Sequence, residues 1–239
     1  MQRIFISDLH LADTESPQFR TLVRLLEEES ERLAALYILG DLCEVWIGDD
    51  DDAPFALALR DLLARTSRST EIALLHGNRD FLIGEQFAGQ CGLKLLSDPY
   101  LLDQQTLIAH GDQFCLDDEA YQETRRTLRA PDWQTAILAR SLEERRALAR
   151  GMREQSMASN ANKPANIMDV NAAEVGRVVR GSGASRLIHG HTHRPGVHAE
   201  SWGKRFVLGA WEHCGWLLRQ YDASEPQLEC FPLAHHCEI

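Results

Sequence analysis

Long apolar runs are missing from this chain of 239 residues. No window approaches the roughly 18–20 consecutive apolar residues that span a bilayer, so no transmembrane helix is expected. Paired cysteines are missing too. The six cysteines, Cys43, Cys91, Cys115, Cys214, Cys230 and Cys237, include no Cys-x-x-Cys, which argues against zinc-ribbon and thioredoxin-type readings. Positive charge is scarce: 25 Lys and Arg stand against 36 Asp and Glu, a formal net charge of −11. A nucleic-acid partner is therefore not expected. The N-terminus lacks the charged region, apolar stretch and cleavage site of an exported protein. Together with unpaired cysteines, this implies a reduced, cytoplasmic setting. No internal repeat or low-complexity segment is present. Length and a hydrophobic fraction of 44% suffice for one α/β domain with a full core and a small insertion.

What the chain does have is a recurring pairing of short apolar runs with polar clusters. Ile4-Phe5-Ile6 leads into Ser7-Asp8-Leu9-His10, and Leu36-Tyr37-Ile38-Leu39 into Gly40-Asp41. Ile72-Ala73-Leu74-Leu75 leads into His76-Gly77-Asn78-Arg79-Asp80. Thr106-Leu107-Ile108-Ala109 leads into His110-Gly111-Asp112, and Arg186-Leu187-Ile188 into His189-Gly190-His191-Thr192-His193. Such continuous runs suit strands buried on both faces. Residues Pro17 to Leu33 and Phe55 to Ala64 read as helices between them. Alternating strand and helix predicts a layered α/β fold, whose ligands bind at the carboxyl ends of strands. Each polar cluster sits at such an end. Asp49 to Asp52 reads as a solvated acidic loop.

The stretch 119–180 breaks this rhythm. It is rich in helix signals, with Arg140, Arg145, Arg146, Arg150 and Arg153 interleaved with Leu138, Leu142, Leu148 and Met152. It is expected to form a helical cap inserted in a core of 1–118 and 181–239.

The clusters carry metal-ligand chemistry. Asp8 and His10, two apart at a strand end, are expected to reach one ion from an extended segment. Asp41 follows Gly40, which permits a sharp turn, and its two oxygens suit a bridging role. Asn78 adds a carbonyl oxygen; His110, His191 and His193 add imidazole nitrogens. Mixed oxygen and nitrogen donors suit Mn²⁺, Fe²⁺ or Zn²⁺. Two ions roughly 3.5–4 Å apart can clamp an in-line displacement at phosphorus. An isolated Asp-x-His means little. Five clusters in this order, each at a strand end, carry the reading of a phosphoester or phosphoanhydride hydrolase.

These residues resemble the calcineurin-like metallophosphoesterases: Asp8-Leu9-His10, Gly40-Asp41, Gly77-Asn78, His110 and Gly190-His191-Thr192-His193. The resemblance implies an α/β fold with a β-sandwich flanked by helices, rather than one doubly wound sheet. It implies one ion held by Asp8, His10, Asp41 and His193, and another by Asp41, Asn78, His110 and His191. Many members carry His after Gly-Asn where this chain has Arg79. Arginine is a poor proton donor but grips phosphate bidentately, which suits a phosphate leaving group.

The finer pattern, with Glu44-x-Trp46-x-Gly48-Asp49-Asp50, Ile167-Met168-Asp169-Val170-Asn171 and Ile188 to Pro195, resembles the UDP-2,3-diacylglucosamine hydrolase family of the lipid A pathway. That resemblance implies pyrophosphate cleavage with two Mn²⁺. It also implies substrate contacts from Asn78, Arg79, Asp118, Ser156, Asn160, Lys163 and His191, with Tyr121 and Arg153 added. The insertion fits such a substrate: Trp133, Ile137, Leu138, Leu142, Leu148 and Met152 would line an apolar chamber or face the membrane, and Arg153 and Lys163 would hold phosphate. Arginines among apolar residues also suit the anionic inner-membrane surface, met from the cytoplasmic side as a peripheral protein. No obligate protein partner is evident. The competing readings are a metallophosphoesterase for a soluble nucleotide, a phosphoprotein or another phosphoester, and a non-catalytic module that has kept the fold.

Overall fold

The computed structural model describes residues 1–160 and 167–234, with backbone alone over 157–160. Its first half runs β1 (Gln2–Ile6), α1 (Pro17–Glu29), β2 (Leu33–Ile38), α2 (Pro54–Thr66), β3 (Glu71–Leu74), α3 (Glu85–Cys91) and β4 (Leu93–Leu95). β5 (Tyr100–Leu101) and β6 (Thr106–Ala109) follow, then α4 (Glu119–Leu128), α5 (Pro131–Leu138) and α6 (Leu142–Asn160). α7 (Ala172–Ser182), β7 (Arg186–His189), β8 (Gly196–Glu200), β9 (Gly203–Val207), β10 (Cys214–Tyr221) and β11 (Gln227–Pro232) complete it.

The strands form two sheets, ordered β11-β10-β1-β2-β3-β4 and β5-β6-β7-β9-β8. Within the first, β1 to β4 are parallel; within the second, β6, β7 and β9 are. Side chains alternate between faces, so each apolar run serves two cores. Ile4, Ile6, Leu36, Ile38, Ile72 and Leu74 pack with residues of α1, α2 and α3. Their neighbours Phe5, Ala35, Tyr37, Ala73 and Leu75 meet Ile108, Ile188 and Phe206 of the second sheet. The strand–helix rhythm alone suggests one doubly wound sheet. The chain instead forms the sandwich that the metallophosphoesterase resemblance implies.

Local signals set the helix ends. Ser16 caps α1 by accepting from the Phe19 N–H, and Pro17 takes the first turn. Phe19, Leu22, Leu25 and Leu26 are its buried face, each worth at most about 1.5–3 kcal/mol. The helix stops at Glu29, before the expected Leu33, because Leu33 begins β2. α7 falls within the stretch read as the insertion. Its Val175 and Val179 nevertheless pack with Leu107 and Leu187 on the outer face of the second sheet.

Two of the remaining insertion helices, α4 and α6, are tied to the body by ion pairs. No residue of α4 is buried. It is tied down through Asp112, fully buried, which accepts from the Tyr121 hydroxyl at 2.9 Å and Arg125 Nε at 2.8 Å. α6 is tied through Arg145, only 4% exposed, whose Nη1 donates to Asp50 Oδ1 and to the Ile47 carbonyl, each at 2.7 Å. Arg146 pairs with Asp51 and Asp52, both at 2.6 Å. The acidic run is thus not a solvated loop. Asp49 accepts from the Trp46 indole and from the Gly84 and Phe87 N–H groups, and Asp50 to Asp52 clasp α6. Among the described residues, no helix is long and apolar enough to cross a membrane.

Candidate metal centre and substrate cavity

The loops after β1, β2, β3, β6 and β7 meet. The Asp8 N–H donates to the Gly40 carbonyl (3.1 Å), the His10 N–H to that of Asp41 (3.1 Å), and the Gly190 N–H to that of His110 (2.8 Å). Glycine makes this approach possible. A Cβ on Gly190 would lie 2.2 Å from Ser7 Oγ and 2.3 Å from Asp8 Oδ2. At Gly40, φ is +88° and a Cβ would lie 2.6 Å from His110 Nδ1.

All seven expected ligands converge here, though not from extended backbone. Asp8, His10, Asp41, His191 and His193 have φ between 50° and 64°, the left-handed region that non-glycine residues avoid at a cost of roughly 1 kcal/mol each. Strain of this kind concentrates at functional sites. The spacing of two places Asp8 beside His10 through paired left-handed turns, not through strand alternation.

Asp8 Oδ2 accepts from Ser7 Oγ at 2.6 Å and the His191 N–H at 2.9 Å. Its Oδ1 is buried without a hydrogen-bond partner, 3.4 Å from His193 Nε2. His10 Nε2 and His193 Nε2 face each other at 3.4 Å. Asn78 Oδ1 lies 3.0 Å from His110 Nε2 and 2.9 Å from His191 Nδ1. His110 Nδ1 is anchored on the Leu39 carbonyl at 2.8 Å. Two groups of donor atoms lie within 4.8 Å of one another: Asp8, His10 and His193, and Asp8, Asp41 and His110.

Protonation matches this picture. Burial pushes His10 and His191 down to about 3, so both are neutral imidazoles with a lone pair to give. Burial pushes the Asp8 carboxyl up, but the side-chain contact with His193 and the charges of His110 and His193 outweigh it and hold it below the usual carboxylate range. Burial, with Asp80 and Asp8 nearby, raises Asp41 to about 7. His110 is opposed by burial but raised to about 9 by Asp41, Asp112, Asp8 and Asp98. The Asp41–His110 pair thus holds protons that a cation would displace. An orphaned buried carboxylate oxygen, facing imidazole nitrogens and a shared amide oxygen are the donor set of a divalent metal.

Beside the centre lies a cavity of about 720 Å³. Its lining joins His10, Asp41, Asn78, His191 and His193 to Phe81, Leu128, Trp133, Ile137, Leu148 and Met152. A second cavity of about 270 Å³ shares Leu128, Trp133, Ile137, Leu148 and Met152. Of the expected apolar lining, Leu138 (41% exposed) and Leu142 are absent from both. Arg79, Asp118, Tyr121, Arg153 and Ser156 also line the larger cavity. The Arg79 N–H donates to Asp41 Oδ1 at 2.9 Å. Asp118 caps α4. The Tyr121 hydroxyl is committed to Asp112, and its ring lies 5.7 Å from that of His191. Asn160 ends α6, with its side chain outside the described residues, as is all of Lys163.

Two residues quoted in the sequence patterns without a role are supports. Asp80, fully buried, accepts from the Leu42 N–H (2.7 Å) and the Gly77 N–H (2.8 Å), locking the loops of Asp41 and Asn78 together. Glu44 touches Arg79, Arg153 and His10. A carboxylate beside each ligand cluster was the available signal.

Residues 1–195 match the calcineurin-like phosphoesterase family model. A protein of Cellvibrio japonicus called UDP-2,3-diacylglucosamine hydrolase is 43% identical over 94% of this chain and 95% of its own length. The chain belongs to that family of calcineurin-like phosphoesterases. Two further family members carry the same name. That of Hahella chejuensis is 44% identical over 95% of this chain and 96% of its own; that of Pseudomonas aeruginosa is 43% identical over 98% and 100%. An archaeal phosphodiesterase structure, only 11% identical, covers 97% of the chain with a TM-score of 0.51, a likeness of fold alone. As a family member the chain is a metal-dependent hydrolase.

Proposed function

We propose that this hydrolase cleaves the pyrophosphate of UDP-2,3-diacylglucosamine with water, giving UMP and 2,3-diacylglucosamine 1-phosphate for lipid A. The observation that carries the reading is the continuity of one cavity, which joins the metal-ligand residues to Trp133, Ile137, Leu148 and Met152 of the insertion. A soluble nucleotide would leave those apolar residues without a use.

Two Mn²⁺ are assigned, one to Asp8, His10, Asp41 and His193, the other to Asp41, Asn78, His110 and His191. Bound divalent ions neutralise charge on phosphoryl oxygens and make water a stronger nucleophile at neutral pH. The chain supplies the rest. Neutral His10 and His191 and ionised Asp8 are already in ligating form. Arg79, held against Asp41 through its N–H, directs its guanidinium to the departing phosphate. Arg153 reaches the same region from α6. Asn78, Asp118, Ser156, Asn160, Lys163 and His191 complete the substrate set, and Tyr121 contributes its ring. The body is 1–118 with 181–239; 119–180 forms the cap, with α7 as its foot on the second sheet. The cap faces the anionic inner-membrane surface, where Arg140 and Arg150 are exposed.

The test is turnover of UDP-2,3-diacylglucosamine beside its deacylated counterpart, with Mn²⁺ added. Strong preference for the acylated substrate is expected; equal turnover would sink the lipid reading.

A further inference from the structure

Glu44 occupies an unusual place for an acid. It lines the substrate cavity, where the incoming ligand is anionic, yet its side chain is only 12% exposed. Its backbone is fixed, since the Glu44 N–H donates to the Leu11 carbonyl at 2.9 Å. Oε1 accepts from Arg79 Nη1 and lies 3.0 Å from Arg153 Nε. Oε2 lies 3.4 Å from His10 Nδ1. One carboxylate therefore sits between an arginine of the body and an arginine of the cap. Both guanidiniums are reachable, their side chains being 31% and 52% exposed.

The reaction changes the charge that this trio meets. A pyrophosphate diester carries two negative charges. Adding water breaks one P–O bond of the P–O–P linkage and yields two phosphomonoesters with release of one to two protons. Each monoester carries about −1.5 to −2 at pH 7. Products are thus more anionic than substrate, and two uncovered arginines beside metal ions would retain them.

We propose that Glu44 is a counter-charge that competes with phosphate for Arg79 and Arg153 and speeds release of the phosphomonoester products. Two arginines and one glutamate leave a single net positive charge, enough to orient a diester and too little to trap a monoester. Glu44 is a positioning residue, acting through the arginines. The inference rests on the reading of those arginines as phosphate contacts.

The test measures dissociation constants at saturating Mn²⁺ for UMP and for inorganic phosphate, which stands in for the sugar 1-phosphate product, with kcat and KM. Glu44→Gln keeps the shape and removes the charge. It is expected to tighten both ligands by roughly three- to tenfold and to lower kcat and KM together. Glu44→Asp keeps the charge and should stay nearer to the parent. Arg79→Met and Arg153→Met should weaken both products. If the arginine variants weaken binding while Glu44→Gln leaves it unchanged or weaker, including through loss of metal, the inference is overturned and the phosphate-contact reading stands. If the arginine variants bind products normally, that reading falls, and the inference with it.

Discussion

The cap should be more sensitive to losing Asp50 than to losing Arg145. Arg145 is the buried partner, with 3% of its side chain exposed against 58% for Asp50. Its guanidinium donates to Asp50 Oδ1 and the Ile47 carbonyl through Nη1, and to the Arg140 carbonyl through Nε at 3.1 Å. Asp50→Ala leaves that charge buried with two carbonyls and only the more distant Asp51, itself paired with Arg146, as a counter-ion. A stranded buried charge costs about 3–5 kcal/mol, and water entering where Asp50 stood trims this to roughly 2–3 kcal/mol. Arg145→Met removes the charge along with its desolvation penalty. Two carbonyls lose a donor at about 1 kcal/mol each, partly offset by the retained apolar stem, for a net of roughly 1–2 kcal/mol. The double variant should resemble Arg145→Met. Native-state hydrogen exchange of the α6 amides reads these opening energies directly, with β2 and β3 as internal controls. If Arg145→Met opened α6 as readily as Asp50→Ala, or more so, the account of the clasp as a buried charge satisfied by an exposed partner would be refuted.

Further outcomes follow from the same geometry. Because Asp41 and His110 are raised to about 7 and about 9 in the metal-free protein, binding a cation must expel protons. Metal affinity should therefore rise with pH by about tenfold per unit between pH 7 and 9. Calorimetry in buffers of different ionisation heat reads the released protons, and a flat profile would contradict the assignment. Asp80→Ala removes two hydrogen bonds to a buried carboxylate, a loss of roughly 3 kcal/mol, and should lower Tm by about 6–12 °C with weakened metal binding. Unchanged Tm would mean that the two loops hold without it. Trp133→Ala should raise KM for the acylated substrate roughly tenfold through lost apolar burial while leaving the deacylated one untouched. A matching rise for both would place Trp133 away from the acyl chains.

Much of the candidate site was legible because its candidate ligands follow doubly buried strands. Four apolar residues closed by Gly-Asp or Gly-Asn mark a strand end whatever sheet the strand joins. The sheet itself was not legible. β6 and β7 are parallel neighbours separated in the chain by the whole cap, and a run such as Leu107-Ile108-Ala109 reads alike in a single sheet or in the second layer of a sandwich. The acidic run misled for a similar reason: its partners Arg145 and Arg146 lie about 95 residues away, beyond any local pattern. The left-handed turns at Asp8 and His10 had no marker either, since neither residue is glycine. Composition hinted at the cap's apolar lining, but only packing separates Ile137, which is buried, from Leu138, which is exposed.

The most direct test of the two-ion centre is a crystal structure of the Mn²⁺-loaded protein with anomalous scattering at the manganese edge. Two peaks are expected, one among Asp8, His10, Asp41 and His193 and the other among Asp41, Asn78, His110 and His191, with Asp41 reaching both. A single peak at full occupancy, or two peaks that share no carboxylate, would contradict it.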